Sequence, residues 1–380
     1  MKRCRIGAAV LSLAVLLTAC SPATEQVADD SAAVEWASLT VESSLELQYA
    51  DQFAVDYYTG GYVLIHIADG SEYLVVPEDA PVPAGLSEDT VVLQQPLDRI
   101  YLVATSAMDL FSALHGVENI RLSGTDEDGW YIEDAKEAMQ SGAMLYAGKY
   151  NSPDYELIYA EQCDLAVEST MIYHSPEVKE QLERLGIPVL VERSSYESNP
   201  PGRVEWLKLY GVLLGREDEA AAIYQQTLDS LRPVLDQENT GQTVAFFYIN
   251  SNGSANVRKS GDYVAKMIEM AGGQYIFTNL GDDNALSTMN MQMETFYTGA
   301  KDADVIIYNS TIDGELHTID ELLTKSPLLA DFKAVQTGDV WCTEQNLFQS
   351  TMGLGDMILD IHAILTEENP ENLTYLHRLS

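Results

Sequence analysis

The chain reads as an α/β protein: two α/β lobes joined by a single rigid connector helix, with an antiparallel β meander at the N-terminal side. Three observations lead there. Near the middle of the 380 residues lies a helical stretch that is apolar on nearly every side. On both sides of it, short apolar strand runs alternate with amphipathic helices closed by Gly or Pro. Ahead of the first lobe, short alternating runs are separated by turn pairs.

The first elements are a leader and a spacer. Lys2, Arg3 and Arg5 precede an apolar run from Ile6 to Leu17, which ends in Leu17-Thr18-Ala19-Cys20. Residues 1–19 therefore read as a signal peptide, with an apolar run too short to span a bilayer. The ending resembles the lipobox of bacterial lipoproteins. That resemblance implies a lipidated Cys20 as the first mature residue, held at the outer face of the cell membrane. Residues 20–38 are polar, rich in small residues and without period, as expected of a flexible tether.

Residues 39–95 carry the meander. Tyr62-Val63-Leu64-Ile65-His66-Ile67 and Tyr73-Leu74-Val75-Val76 are strand-like, and Gly60-Gly61, Asp69-Gly70 and Pro81-Val82-Pro83 punctuate them. The N-terminal lobe, 39–195 including the meander, continues with alternating elements. Arg99 to Ala104 is a strand, Ser106 to His115 a helix, and Ile120 to Ser123 a strand. Leu165 to Val167, a helix opened by Ser175-Pro176, and Val189 to Val191 form a βαβ unit, which makes the sheet at least partly parallel.

The connector is assigned to 196–216. Asn199 before Pro200 is pushed to extended geometry, and Pro201 suits a first helical position. Val204, Leu207, Gly211 and Leu214 share one face, while Trp206, Leu209, Tyr210 and Leu213 share another. Only Glu205 and Lys208 form a charged edge, so the helix is expected to be buried nearly all round. A wedge between lobes and the central helix of one large core both satisfy that expectation. The C-terminal lobe, 217–380, repeats the α/β texture, with strands at Val244 to Ile249, Val305 to Tyr308 and Val340 to Thr343.

Composition narrows the function. A formal net charge of −38 argues against nucleic acid or an anionic lipid surface as partner. Cleavage and acylation would remove Cys4 and occupy Cys20, leaving Cys163 and Cys342, expected as buried free thiols. The six histidines are scattered without ligand spacing. No G-x-S-x-G, P-loop or H-E-x-x-H occurs. An enzyme on a bilobal fold and a binder of bare zinc or manganese both remain as alternatives.

A local pattern recurs in the two lobes. Pro153-Asp154-Tyr155-Glu156 opens a helix and Asp164 leads into a strand. Gln292-Met293-Glu294 opens another, and Asp304 leads into its strand. A glutamate in a first turn also complements the helix dipole. Together with the lipobox, the two lobes and the connector, and with L-G-I-P-V-L-V at 185–191, P-P-G-R-V-E-W at 200–206 and G-D-V-W at 338–341, the chain from about Asp98 onward resembles the periplasmic-binding-protein family for iron chelates and cobalamin. These are substrate-binding lipoproteins of ABC importers.

The resemblance implies a non-enzymatic, monomeric, extracytoplasmic protein without a cofactor of its own. It would hold an iron–siderophore complex, haem or a cobalamin-like corrinoid between its lobes and pass it to an ABC permease with its ATPase subunits. Glu156 and Glu294 match the glutamates that dock on permease arginines. Ligand candidates in the strand-end loops are Trp130, Tyr131, Tyr150, Tyr173, His174, Arg193 and Tyr196 in the first half. Those in the second are Tyr248, Asn250, Asn252, Arg258, Gln345, Asn346 and Phe348. Aromatic rings suit a large planar ligand, and Arg258 suits a ligand carboxylate. His174 is the candidate ligand to a metal in a haem or cobalt complex, against the plain reading of a satisfied polar group.

Overall fold

The computed structural model describes residues 34–281, 288–367 and 370–380. The signal peptide, Cys20 and the tether up to residue 33 lie outside the described residues. Residues ahead of the expected boundary at 39 already pack on the sheet. Glu35 bridges to Ala84, and the Trp36 ring packs on Tyr58 with centroids 4.6 Å apart.

The N-terminal strands form a five-stranded sheet in sequence order: Val41–Ser44, Phe53–Tyr58, Val63–Ile67, Glu72–Val76 and Thr90–Gln94. The first four pair antiparallel, as the meander predicts, and the fifth joins parallel to the fourth. The segment after Val76 carries the chain back to the level of Glu72, opposite Thr90, so the last strand runs in the same direction as its neighbour. Both faces of this sheet are covered. Tyr62, Leu64, Leu74 and Val76 form a small core with Trp36, Leu39 and Leu86. Phe53, Val55, Ile65 and Tyr73 belong to the main core.

The first lobe is built on an all-parallel sheet ordered Val189–Glu192, Leu165–Ser169, Ile100–Leu102, Ile120–Ser123, Leu145–Tyr146. Their near-continuous apolar runs follow from helices covering both faces. The second lobe has Thr243–Ile249, Val305–Tyr308 and Val340–Thr343 parallel at its centre. Ala255–Arg258 and Thr288–Met291 extend one side antiparallel, and Leu376–Arg378 the other.

The connector helix is Pro200–Leu214, with both prolines in its first turn and Gly215 as a left-handed cap at φ 66. Such a φ is cheap only for glycine. Gly211 is a packing site: a Cβ there would lie 2.7 Å from Ala220 Cβ on the next helix, Glu217–Leu235.

The charged edge of the connector departs from expectation. Glu205 is fully buried and Lys208 nearly so, paired at 2.7 Å. The Glu205 carboxylate accepts the backbone N–H groups of Gln48, Tyr49 and Ala50 at 2.8 to 3.1 Å. Glu197 does the same for Asp51 and Gln52 and also takes the Trp206 indole N–H at 3.0 Å. Two carboxylates thus satisfy five successive backbone donors in the loop before Phe53. Buried charges are tolerated when bonded this fully. The loop fastens the N-terminal sheet to the connector. One apolar cluster then runs continuously from that sheet through the connector into both lobes. Both sequence readings of the connector therefore describe part of the arrangement.

Candidate functional site

The long parallel strands of each lobe end in loops on one side of their sheet, and hydrogen bonds join those two sides. Gln349, beyond the end of Val340–Thr343, donates its amide to Gly129 O at 2.7 Å and accepts the Tyr131 N–H at 2.8 Å. Gly129 and Tyr131 lie beyond the end of Ile120–Ser123. Thr351 donates to Ser106 O, and the Met352 N–H reaches Asp109 Oδ2, both at 2.7 Å. The Tyr131 and Phe348 rings meet edge to face at 5.9 Å. These contacts close one side of an interlobe cleft at the carboxyl ends of the strands, where open α/β sheets bind ligands.

The loops at those ends hold a concentration of exposed apolar side chains. Tyr131, Met171, Tyr173 and Tyr196 stand exposed on the first lobe, and Ile312 and Phe348 on the second. Tyr173 and Tyr196 flank Arg193. Arg193 Nη1 donates to Tyr173 Oη at 3.0 Å, and the guanidinium carbon lies 4.4 Å from the Tyr196 ring centroid. The Tyr173 hydroxyl donates to Asp69 at 2.9 Å.

Deeper between the lobes are buried charges. Glu192 closes its strand and accepts the Ser194 N–H at 2.8 Å; burial raises its pKa. Arg203 on the connector stacks on Tyr263 at 4.0 Å. Arg258 faces Asp262 at 3.7 Å. Burial also raises Asp262, against the opposing pull of Arg258. Among the described residues, no group of three or more His, Cys, Asp or Glu is arranged to hold a metal ion.

Residues 101–347 match the periplasmic binding protein family. The chain belongs to that family. An uncharacterized lipoprotein of Methanocaldococcus jannaschii is 26% identical over 355 residues, covering 87% of this chain and 82% of its own. A second uncharacterized lipoprotein of that organism is 25% identical, with 80% and 78% covered. A periplasmic heme binding protein of Pseudomonas aeruginosa superposes with a TM-score of 0.57 at 18% identity, covering 74% of this chain and 98% of its own. A possible iron-binding protein of Staphylococcus epidermidis gives 0.55 at 16% identity, with 71% and 99% covered.

In this periplasmic binding protein the candidate residues are unevenly placed. Tyr173, Arg193 and Tyr196 form one group, and Tyr131 and Phe348 another. Trp130 needs correction as a contact: it is 1% exposed, and its indole N–H donates to Ser123 Oγ. Alternation along the loop turns its neighbour Tyr131 outward instead. Tyr150 packs against the second apolar cluster of the first lobe. His174 is exposed at the end of the turn Thr170–His174.

The second-lobe candidates are largely committed to local structure. Arg258 is already engaged by Asp262 and is 17% exposed, so it is less open to a ligand carboxylate than its side chain alone suggests. Asn252 holds the Ser254 N–H and hydroxyl, and Asn250 holds the same N–H. Both therefore shape the turn between Thr243–Ile249 and Ala255–Arg258. Tyr248 is half-buried in the first of those strands. Gln345 donates its backbone N–H to Glu315, while the buried Asn346 Oδ1 has no partner among the described residues.

The recurring pattern has a structural meaning. Asp164 Oδ2 accepts the N–H groups of Asp98 and Arg99, just ahead of the first strand of its sheet. Asp304 Oδ2 accepts the N–H and hydroxyl of Thr243, where the second sheet begins. Glu156 and Glu294 are both exposed in the first turns of Tyr155–Ala160 and Met293–Ala300. Both stand at the carboxyl-end level of their sheets. The Asp154 N–H bonds Ala147 O and the Ala147 N–H bonds Ser123 O. Met291 is in register with Ala255, which pairs with Ile249. Sequence reasoning missed Gln52, Asp69, Met171, Ile312 and Gln349, since none carries a local motif.

Proposed function

We propose that this protein captures an iron–siderophore complex, haem or a cobalamin-like corrinoid between its lobes and delivers it to an ABC permease. The observation that carries this reading is the gathering of exposed Tyr131, Met171, Tyr173, Tyr196, Ile312 and Phe348 at the facing strand ends of both lobes. A soluble surface seldom exposes such a group without a partner, and wide aromatic faces match a large planar or chelate ligand. The heme-binding and iron-binding names of two structural neighbours support the same class.

In this reading the protein works outside the cell membrane, held by lipid on Cys20, as a monomer with no cofactor of its own. The names of the two lipoprotein relatives support the anchor. Glu156 and Glu294 are the docking points for permease arginines, and the ATPase subunits drive release and import. Protein purified from its own host tests the ligand. Native mass spectrometry and visible absorbance should reveal a bound chelate, haem or corrinoid. Protein carrying only stoichiometric bare metal, or turning over a substrate, would overturn the reading in favour of a metal-ion binder or an enzyme.

A further inference from the structure

We propose that the N-terminal sheet completes an anion subsite of the cleft, with Gln52 and Asp69 acting as positioning residues for Arg193 and Tyr173. This rests on the binding role above and adds a ligand class: an anionic oxygen, such as a carboxylate, carried beside an aromatic or planar body. Both positioning residues lie outside the span 101–347 that matches the family.

The geometry runs as a chain of hydrogen bonds. Glu197 accepts the backbone N–H of Gln52 at 3.1 Å and so fixes that loop. The Gln52 side-chain N–H bonds Asp51, which turns its carbonyl oxygen the other way. That oxygen accepts Arg193 Nε–H at 3.3 Å and Nη2–H at 3.2 Å. From the loop between Val63–Ile67 and Glu72–Val76, Asp69 Oδ2 accepts a hydrogen bond from the Tyr173 hydroxyl at 2.9 Å. With its proton committed to Asp69, Tyr173 Oη can only accept, and it accepts from Arg193 Nη1 at 3.0 Å.

Arginine has five N–H donors in a planar fork. Three are engaged by Gln52 and Tyr173, and two are left for a ligand. Tyr196, 41% exposed, covers one face of the guanidinium, and Tyr173, 43% exposed, stands beside it. A planar cation held in one orientation next to open aromatic surface is built to receive an anion and stack its body. Preorganisation of this kind favours binding by removing the cost of ordering the side chain.

The test uses sodium benzoate and uncharged benzamide as probes of the full-length mature protein. Nuclear magnetic resonance would follow the Arg193 Nε–H signal in each titration. The wild type should prefer benzoate by about tenfold. Asp69→Ala and Gln52→Ala should each bring the ratio to within about twofold of unity. Arg193→Lys, read from the line broadening of the probe's own ring protons, should do likewise, while Asp69→Asn, which keeps an acceptor for Tyr173, should hold most of it. Unchanged far-ultraviolet dichroism and melting temperature would show that the fold is intact, because Asp69 is exposed. A wild type without benzoate preference would overturn the subsite, as would a ratio unmoved in both alanine variants. The two readings separate cleanly. A preserved ratio in a protein that carries no chelate would remove only the ligand class of the preceding section. A chelate-loaded protein with an insensitive ratio would remove only the subsite.

Discussion

Asp109 of the first lobe accepts the backbone N–H of Met352 in the second, at 2.7 Å. Burial outweighs this bond and raises the Asp109 pKa to about 6. The folded carboxyl is therefore harder to ionise than the unfolded one. Its contribution is most favourable below about pH 4, falls as pH rises through 4 to 6, and stays at its lower level above. Asp109→Asn keeps an acceptor without the charge. It should raise the melting temperature at pH 8 more than at pH 4.5. A larger gain at the acidic value would contradict the assignment.

The same contact, with those of Gln349 and Thr351, holds the lobes on either side of a connector without a flexible hinge. Hinge motion needs residues that absorb large φ/ψ changes. Small-angle scattering with and without ligand should nearly superimpose. A large fall in radius of gyration on binding would contradict the stiff connector.

Glu205 offers a test of how the N-terminal sheet is fastened. Glu205→Ala leaves Lys208 and three backbone N–H groups without their carboxylate, a loss of about 3–5 kcal/mol by comparison with other broken buried pairs. Denaturant titration would give the value. Hydrogen exchange should locate the opening at residues 48–52. Loss of protection centred on the second lobe instead would show that the carboxylate acts elsewhere.

Glu168 is fully buried at the end of Leu165–Ser169, and neither carboxylate oxygen has a hydrogen-bond partner among the described residues. Burial raises its pKa to about 8. The unfolded carboxyl ionises near 4.5 and the folded one near 8, so wild-type stability should decline across that window as pH rises. Glu168→Gln should flatten the decline and should be the more stable protein at pH 8.5. Parallel pH profiles for the two proteins would rule out this account.

Glu156 and Glu294 are exposed, so replacing each with alanine should change stability by no more than roughly 0.5 kcal/mol. Ligand affinity should survive. Uptake in cells should fall, furthest in the double variant, because charge pairs across an interface set encounter rate and register. High salt should weaken wild-type docking and narrow the difference, through screening over about 8–10 Å. Normal uptake by the double variant would return both residues to helix-dipole partners.

Local chemistry was legible in the chain itself. The all-round apolar stretch after Pro200-Pro201 announced a buried helix. Alternating runs announced the N-terminal strands, and the paired Asp164 and Asp304 announced two related strand entries. Each follows from propensity, periodicity or turn chemistry, which act between residues a few positions apart. The candidate site was legible only as a set of loops. Glu205 looked like a solvated edge because the loop that buries it, 48–50, lies about 155 residues away. Trp130 and Tyr131 are adjacent, yet one is core and the other exposed. Arg193 meets Gln52 across 141 positions, and Asp69 meets Tyr173 across 104. A carboxylate or guanidinium has the same sequence signature whether it is solvated or held, and only the packing of distant segments decides which.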